Sequence, residues 1–228
     1  TLTVLYADIS TTVALPASGT PGSTVTGTTT YTNLGSATAS FTATVVVNGV
    51  TSTQTVTSLP PNSSTVATVT VIVGSTGATV TANVGTTSVP ESNTANNANT
   101  ATMAAVLADL VTSIDLPTTG VAGSTIAFTV TVANNTSTAS TTASNVVGTV
   151  VLSNGQTITF TVPSDLGVGS TTIVSLTTTV PANGSSTLSA TVTVATSTPE
   201  SNTANNAGTD TLTVLYADIS TTVALPAS

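Results

Sequence analysis

The sequence predicts an all-β chain built from tandem seven-stranded β-sandwiches, and three observations carry that prediction. Thr, Val, Ala and Ser dominate, with Thr alone about a quarter of the 228 residues. Thr and Val branch at Cβ, which favours strands over helices. Apolar and polar residues alternate through short runs, and no segment sustains a 3.6-residue period. Gly, Pro and Asn-Gly separate these runs at regular spacing, as turns require.

Repetition sets the organisation. Thr1–Ser18, TLTVLYADISTTVALPAS, returns letter for letter as Thr211–Ser228, a period of 210 residues. Such ends are expected of a window cut from a longer, nearly perfect array. A weaker repeat lies inside the period. Ala7-Asp8-Ile9 returns as Ala108-Asp109-Leu110 and as Ala217-Asp218-Ile219, and Pro90–Asn97 returns unchanged as Pro199–Asn206. The expected organisation follows. Residues 1–6 are the last strand of a preceding module, 7–107 the first module, 108–216 the second, and 217–228 the first strand of the next. About 100 residues suits one all-β domain.

In the first module, Asp8–Leu15 is the opening strand and Pro16 to Ser23 a turn. Thr24–Thr32 and Phe41–Val47 follow. Asn48-Gly49 is a hairpin signal, because both residues tolerate positive φ. Thr51–Leu59 returns and Pro60-Pro61-Asn62 breaks it. Ser64–Val73, Ala78–Thr86 and Asn99–Leu107 complete seven strands. The second module keeps the order: Asp109–Leu116, Thr125–Ala133, Asn145–Leu152, Gln156–Val162, Thr171–Val180, Thr187–Ala195 and Gly208–Tyr216. Ile126, Phe128, Val130 and Val132 mark a period-two apolar face. Tyr31 and Phe41 are the expected aromatic core of the first module, Phe128 and Phe160 of the second. Thr is expected on the outer faces. The junction Val106-Leu107-Ala108-Asp109 has no Gly or Pro and reads as stiff.

Composition excludes several functions. The chain has no Lys, Arg, His or Cys and eight acidic residues, so its formal net charge is −8. Nucleic-acid binding, which rests on Lys and Arg neutralising phosphates, is excluded, as is a polybasic contact with anionic lipid. No apolar run approaches a membrane span. Salt bridges and disulfides cannot form, so packing must supply the stability. Without His, Cys or Lys, acid–base and nucleophilic roles fall to carboxylates, Tyr, Ser and Thr. No close carboxylate pair of the glycosidase kind is present, and the chain is expected not to be an enzyme. An isopeptide cross-link lacks its Lys. A Thr–Gln ester would have to use Gln54 or Gln156, with no His to assist.

An opening strand with Ala-Asp-Leu or Ala-Asp-Ile, a Leu-Pro turn, a Gly-Ser entry to the second strand, an Asn-Gly hairpin and a late Pro-Glu-Ser-Asn-x-x-Asn-Asn loop resemble CARDB modules. Glu91–Asn97 and its copy Glu200–Asn206 are the most specific part, and the resemblance spans both modules. It implies an immunoglobulin-like β-sandwich of cell-adhesion-related prokaryotic surface proteins, extracellular, usually in tandem and usually without enzyme activity. The absence of Lys and Arg and the excess of Thr depart from the family.

In a seven-strand sandwich the loop between the last two strands lies at the pole where the module starts. That places Glu91, Asn93, Asn96 and Asn97 near Asp8, and Glu200, Asn202, Asn205 and Asn206 near Asp109. Carboxylates and amide oxygens are hard donors suited to calcium, which would stiffen the module junction. In the plainer reading these side chains satisfy backbone groups of a long turn. The plainer reading is favoured, because an EF-hand-like density of acids is missing.

Asn62, Asn134, Asn135 and Asn183 begin Asn-x-Ser/Thr triplets in expected loops, where glycans could sit. Thr-linked sugars fit the composition as well. Thr28, Thr30 and Thr32 raise an ice-binding face, although outward Thr on any half-buried strand gives the same spacing.

The expected function is a structural repeat segment of a long extracellular fibre, stalk or giant adhesin, with end-to-end modules of roughly 35–40 Å each from strands of about ten residues. Its expected partners are neighbouring identical repeats or copies of itself, and glycans. One alternative is a filament subunit joined to its neighbours by β-strand addition. The other is a carbohydrate- or ice-binding surface module.

Overall fold

The computed structural model describes residues 3–223. The chain divides into two units between Val106 and Leu107. Every regular element among the described residues is a strand.

The first unit contains β1 (Ile9–Ala14), β2 (Ser18–Gly19), β3 (Thr24–Asn33), β4 (Ala39–Val47), β5 (Val50–Leu59), β6 (Ser63–Ile72), β7 (Ala78–Thr87) and β8 (Ala98–Ala105). One sheet has the order β1-β3-β6 and the other β2-β8-β7-β4-β5. The second unit repeats this with β9 (Leu110–Asp115), β10 (Thr119–Val121), β11 (Thr125–Asn134), β12 (Val147–Leu152), β13 (Thr157–Thr161), β14 (Thr171–Thr179), β15 (Thr187–Ala195) and β16 (Ala207–Leu215). Its sheets are β9-β11-β14 and β10-β16-β15-β12-β13. Each unit is an immunoglobulin-like sandwich, and the chain is all-β.

Alternation explains the burial. In β7, Ala78, Val80, Ala82 and Val84 point inward, while Thr79 and Asn83 face water. The first core has two clusters. One holds Ile9, Tyr31, Phe41, Leu59 and Val84, with the Tyr31 and Phe41 rings edge-on at 5.4 Å. The other holds Val45, Val71, Val73, Val80 and Met103. The second unit has one continuous core around Leu110, Phe128, Val130, Phe160 and Leu188.

The expected turn at Pro16–Ser23 is corrected in one respect. It contains β2, which pairs in parallel with β8. Pro16 has no N–H to continue the first sheet's ladder, so the chain crosses to the other sheet there. Pro117 precedes β10 in the same way, and β10 pairs in parallel with β16. Each module therefore has seven main strands and one short switched strand.

The two terminal segments carry no strand among their described residues. Residues 3–6 carry no strand, although the same residues as Thr213–Leu215 lie in β16. Residues 217–223 carry none, although their copy contains β1. The remainder of those two expected strands, residues 1–2 and 224–228, lies outside the described residues. A strand exists only through its neighbour's N–H and C=O groups, and β1 has β3 as its neighbour.

Candidate functional site

The expected pole forms in both units. The loop between β7 and β8 lies along the start of β1. The Ala7 amide donates to the Pro90 carbonyl at 2.9 Å, and the Ser92 amide to the Ala7 carbonyl at 2.9 Å. The Glu91 carboxylate sits between the two segments. Its Oε1 accepts the Ile9 amide at 2.8 Å and its Oε2 accepts Asn97 Nδ2 at 2.8 Å. Asn96 Nδ2 donates to Asp8 Oδ1 at 2.8 Å. The Asn97 carbonyl accepts the buried Thr11 hydroxyl at 2.9 Å, and Asn99 Oδ1 accepts the Val13 amide at 3.0 Å.

The second unit repeats these contacts on residues far apart in sequence. Glu200 accepts the Leu110 amide and Asn206 Nδ2, both at 2.9 Å. Asn205 Nδ2 donates to Asp109 Oδ1 at 2.9 Å. Asp109 is only 1% exposed, and Asn135 and Thr138 also donate to its Oδ2. Burial pushes the Asp109 carboxyl up. The hydrogen bonds from Thr138, Asn205 and Asn135 outweigh burial and hold it below its ordinary value.

Asn93 and Asn202 stand apart from the carboxylates. Both are exposed, and each accepts an amide two residues on, Ala95 and Ala204, in its own turn. The structure thus joins Asp8, Glu91, Asn96 and Asn97, and likewise Asp109, Glu200, Asn205 and Asn206, and leaves the other two outside.

The calcium expectation meets this geometry only in part. Both Glu carboxylates bridge N–H donors, as the turn-stabilising alternative requires. No group of three or more acidic residues that could hold a metal occurs among the described residues. The oxygens left over are Oδ1 of Asn96, Asn97, Asn205 and Asn206, each buried and without a partner. They are neutral donors, two in each unit, against the six to eight oxygens calcium takes.

Asn33 and Asn134 belong to the same pole, and the sequence reading missed both as structural residues. Each is fully buried. Asn134 Nδ2 donates to the Thr141 and Leu166 carbonyls, both at 2.9 Å, and its Oδ1 accepts the Asp109 amide at 3.1 Å. Asn33 does the same with Ala37, Leu59 and Asp8. This corrects the expectation for Asn134: with both amide hydrogens donated inside the core, it cannot carry a sugar in the folded chain. Asn135 is half-buried and donates to Asp109. Asn62 and Asn183 are exposed. The available signal was positional, since Asn33 and Asn134 each end a strand 25 residues after their Asp.

Both glutamines accept from buried threonine hydroxyls across the sandwich. Thr29 donates to Gln54 Oε1 at 2.8 Å, joined there by the Tyr31 hydroxyl at 2.7 Å, and Thr178 donates to Gln156 Oε1 at 2.5 Å. Burial raises the Tyr31 phenol, against a lowering hydrogen bond with Thr29. Thr28, Thr30 and Thr32 lie in the central strand of the outer face, opposite Thr68, Val66 and Ser64. A depression of about 810 Å³ beside Glu91 is lined by Asn83–Val89, Pro90, Thr94 and Asn97, without an aromatic ring. No helix among the described residues is long and apolar enough to cross a membrane, which says nothing of a β-barrel.

The CARDB domain of a Pyrococcus furiosus protein, crystallised in complex with di-metal ions, is 21% identical, with TM-score 0.41, covering 48% of this chain and 90% of that one. The solution structure of the same domain is 19% identical, with TM-score 0.41, covering 48% and 97%. Red sea bream transglutaminase is 13% identical, with TM-score 0.38, covering 94% of this chain and 32% of that one. No curated protein matches the sequence. The CARDB family profile matches residues 2–101 and again 107–210. These two matches span nearly the whole chain, one to each sandwich, and the chain belongs to the CARDB family.

Proposed function

We propose that the chain is a structural repeat segment of a long extracellular fibre, stalk or giant adhesin, non-enzymatic and built from end-to-end sandwiches with a 210-residue period. One observation carries it: the identical end segments take complementary roles. Residues 7–14 supply the opening strand of one module, while residues 211–215 supply the closing strand of another. A single copy of the segment therefore has what is needed to close one module and open the next. The function is mechanical. Each unit buries its own core, and length grows by adding units. Charges of a single sign hold neighbouring fibres apart, and the absence of Lys and Arg removes trypsin-type cleavage sites.

Denaturing electrophoresis of native material tests this reading. A species of hundreds of kilodaltons supports one continuous chain. A band near the 22.1 kDa of this segment points instead to separate subunits joined by β-strand addition. Imaging should then show an axial repeat of two modules. A carbohydrate-binding role lacks an aromatic platform at the depression beside Glu91.

A divalent cation such as calcium at each pole is a second reading. The four unpartnered Asn oxygens favour it.

A further inference from the structure

We propose that the tyrosine at positions 6 and 216 is a two-sided tie between successive periods, its hydroxyl held by the module before it and its main chain by the module after it. This rests on the array reading above. Its partner is a second copy of the module spanning residues 7–105.

Tyr6 and Tyr216 are one position of the repeat seen twice. At Tyr216 the contacts run backwards. Its hydroxyl donates to the Ser185 carbonyl at 2.9 Å, with the Pro181 carbonyl at 3.4 Å. At Tyr6 they run forwards. Its carbonyl accepts the Ser36 amide at 2.8 Å and the Ala37 amide at 3.0 Å, and its amide donates to Ser36 Oγ at 3.3 Å. Gly35 allows this approach, because a Cβ there would stand 2.6 Å from the Ala7 carbonyl carbon. One copy uses the phenol and the other the amide and carbonyl. The two sets of contacts involve different atoms, so neither set uses up a group that the other needs.

Two further observations single out this joint. The residue in the same place inside the period is Leu107. It has the same main-chain clamp, with the Ser140 amide at 2.7 Å from its carbonyl and its own amide 2.9 Å from Ser140 Oγ, but leucine has no hydroxyl. The loop that receives the phenol is also enlarged. Residues 180–186 join β14 to β15, whereas the shorter segment 73–77 joins β6 to β7. The longer loop occurs in the module that precedes a tyrosine.

The test uses a chain of two consecutive periods, residues 1–210 followed by 1–228. The chain has no Cys, so spin labels can be placed at Thr157→Cys of the first period and Thr53→Cys of the second, both exposed. The expected result is one narrow distance distribution. Tyr216→Phe should lower the ratio of narrow to broad component about threefold to fivefold, the effect of one modest hydrogen bond, with the melting temperature of the module after it unchanged. Gly35→Ala in the second period should broaden it from the other side. A distribution that stays narrow with Tyr216→Phe overturns the tie and leaves the array standing. A broad distribution in the unsubstituted chain overturns both the tie and the stiff array.

Discussion

Glu91 accepts the Ile9 amide at 2.8 Å across 82 residues of sequence, and the same carboxylate holds Asn97. In a chain with no cationic side chain, no ion pair within the chain can satisfy a carboxylate at the pole, and N–H and O–H donors do so in the structure. That constraint explains why the acids and the Asn pairs cluster there. Charge-assisted hydrogen bonds of this kind contribute about 1.5–3 kcal/mol each.

Glu91→Ala should therefore destabilise the first module by about 2–3 kcal/mol. Glu91→Gln should cost about 1–2 kcal/mol, because its NH2 group meets another donor. Loss of Ile9 amide protection in hydrogen exchange is the local readout. Glu200→Ala should act in the same way on Leu110.

The pH dependence of the second module should follow Asp109. Its folded pKa lies below the ordinary value, so as acid is added the unfolded chain takes up the proton first. The stability from this group is complete above about pH 4, the ordinary carboxylate range, and is lost as pH falls through the folded value. Asp109→Asn should remove that acid-side slope. Tyr31 has the opposite sign. Its raised pKa means stability is complete below about pH 10 and declines above it. Tyr31→Phe should abolish the alkaline decline. Denaturant midpoints across pH check both.

Gly148 pairs with Phe160 across β12 and β13, and the Phe160 ring lies over the hydrogen where a Cβ would be. Gly148→Val should destabilise the second module by about 1–3 kcal/mol through overpacking. Gly155→Val leaves the surrounding space free but forces a branched residue to φ +85, so its cost should come from backbone strain alone. Calorimetry of the two variants separates packing from strain.

Removing divalent cations should leave the melting temperature unchanged, because the carboxylates at each pole already have N–H partners. A melting temperature that falls with chelator and recovers with calcium would instead support a cation on the Asn96, Asn97, Asn205 and Asn206 oxygens.

Peptide mapping of native material should find Asn134 unmodified. Any Asn-linked sugar should be confined to the exposed Asn62 and Asn183, with Asn135 excluded while it donates to Asp109.

Much of the fold was legible in the sequence because strand alternation and turn chemistry are local. Val69 and Val71 announce a buried face, and Asn48-Gly49, with φ 48 and 85, announces its hairpin. The pole was legible because Pro90–Asn97 and its copy repeat without change. Whether an Asn there meets a carboxylate, a metal or a sugar was not legible. That depends on the fold, which sets partners 6 to 96 residues away against these side chains, and Asn134 looks like a glycan acceptor until the fold buries it.

By itself the sequence determined the period, the all-β class and which residues could be strands. Which of them become strands was decided by tertiary structure, and the duplicated ends show why. Residues 9–14 form an opening strand where their described counterparts 219–223 form none, and residues 213–215 join a closing strand where 3–5 do not. Strand hydrogen bonds are made with a neighbour rather than within the segment, so identical sequence takes its structure from whichever sheet lies beside it.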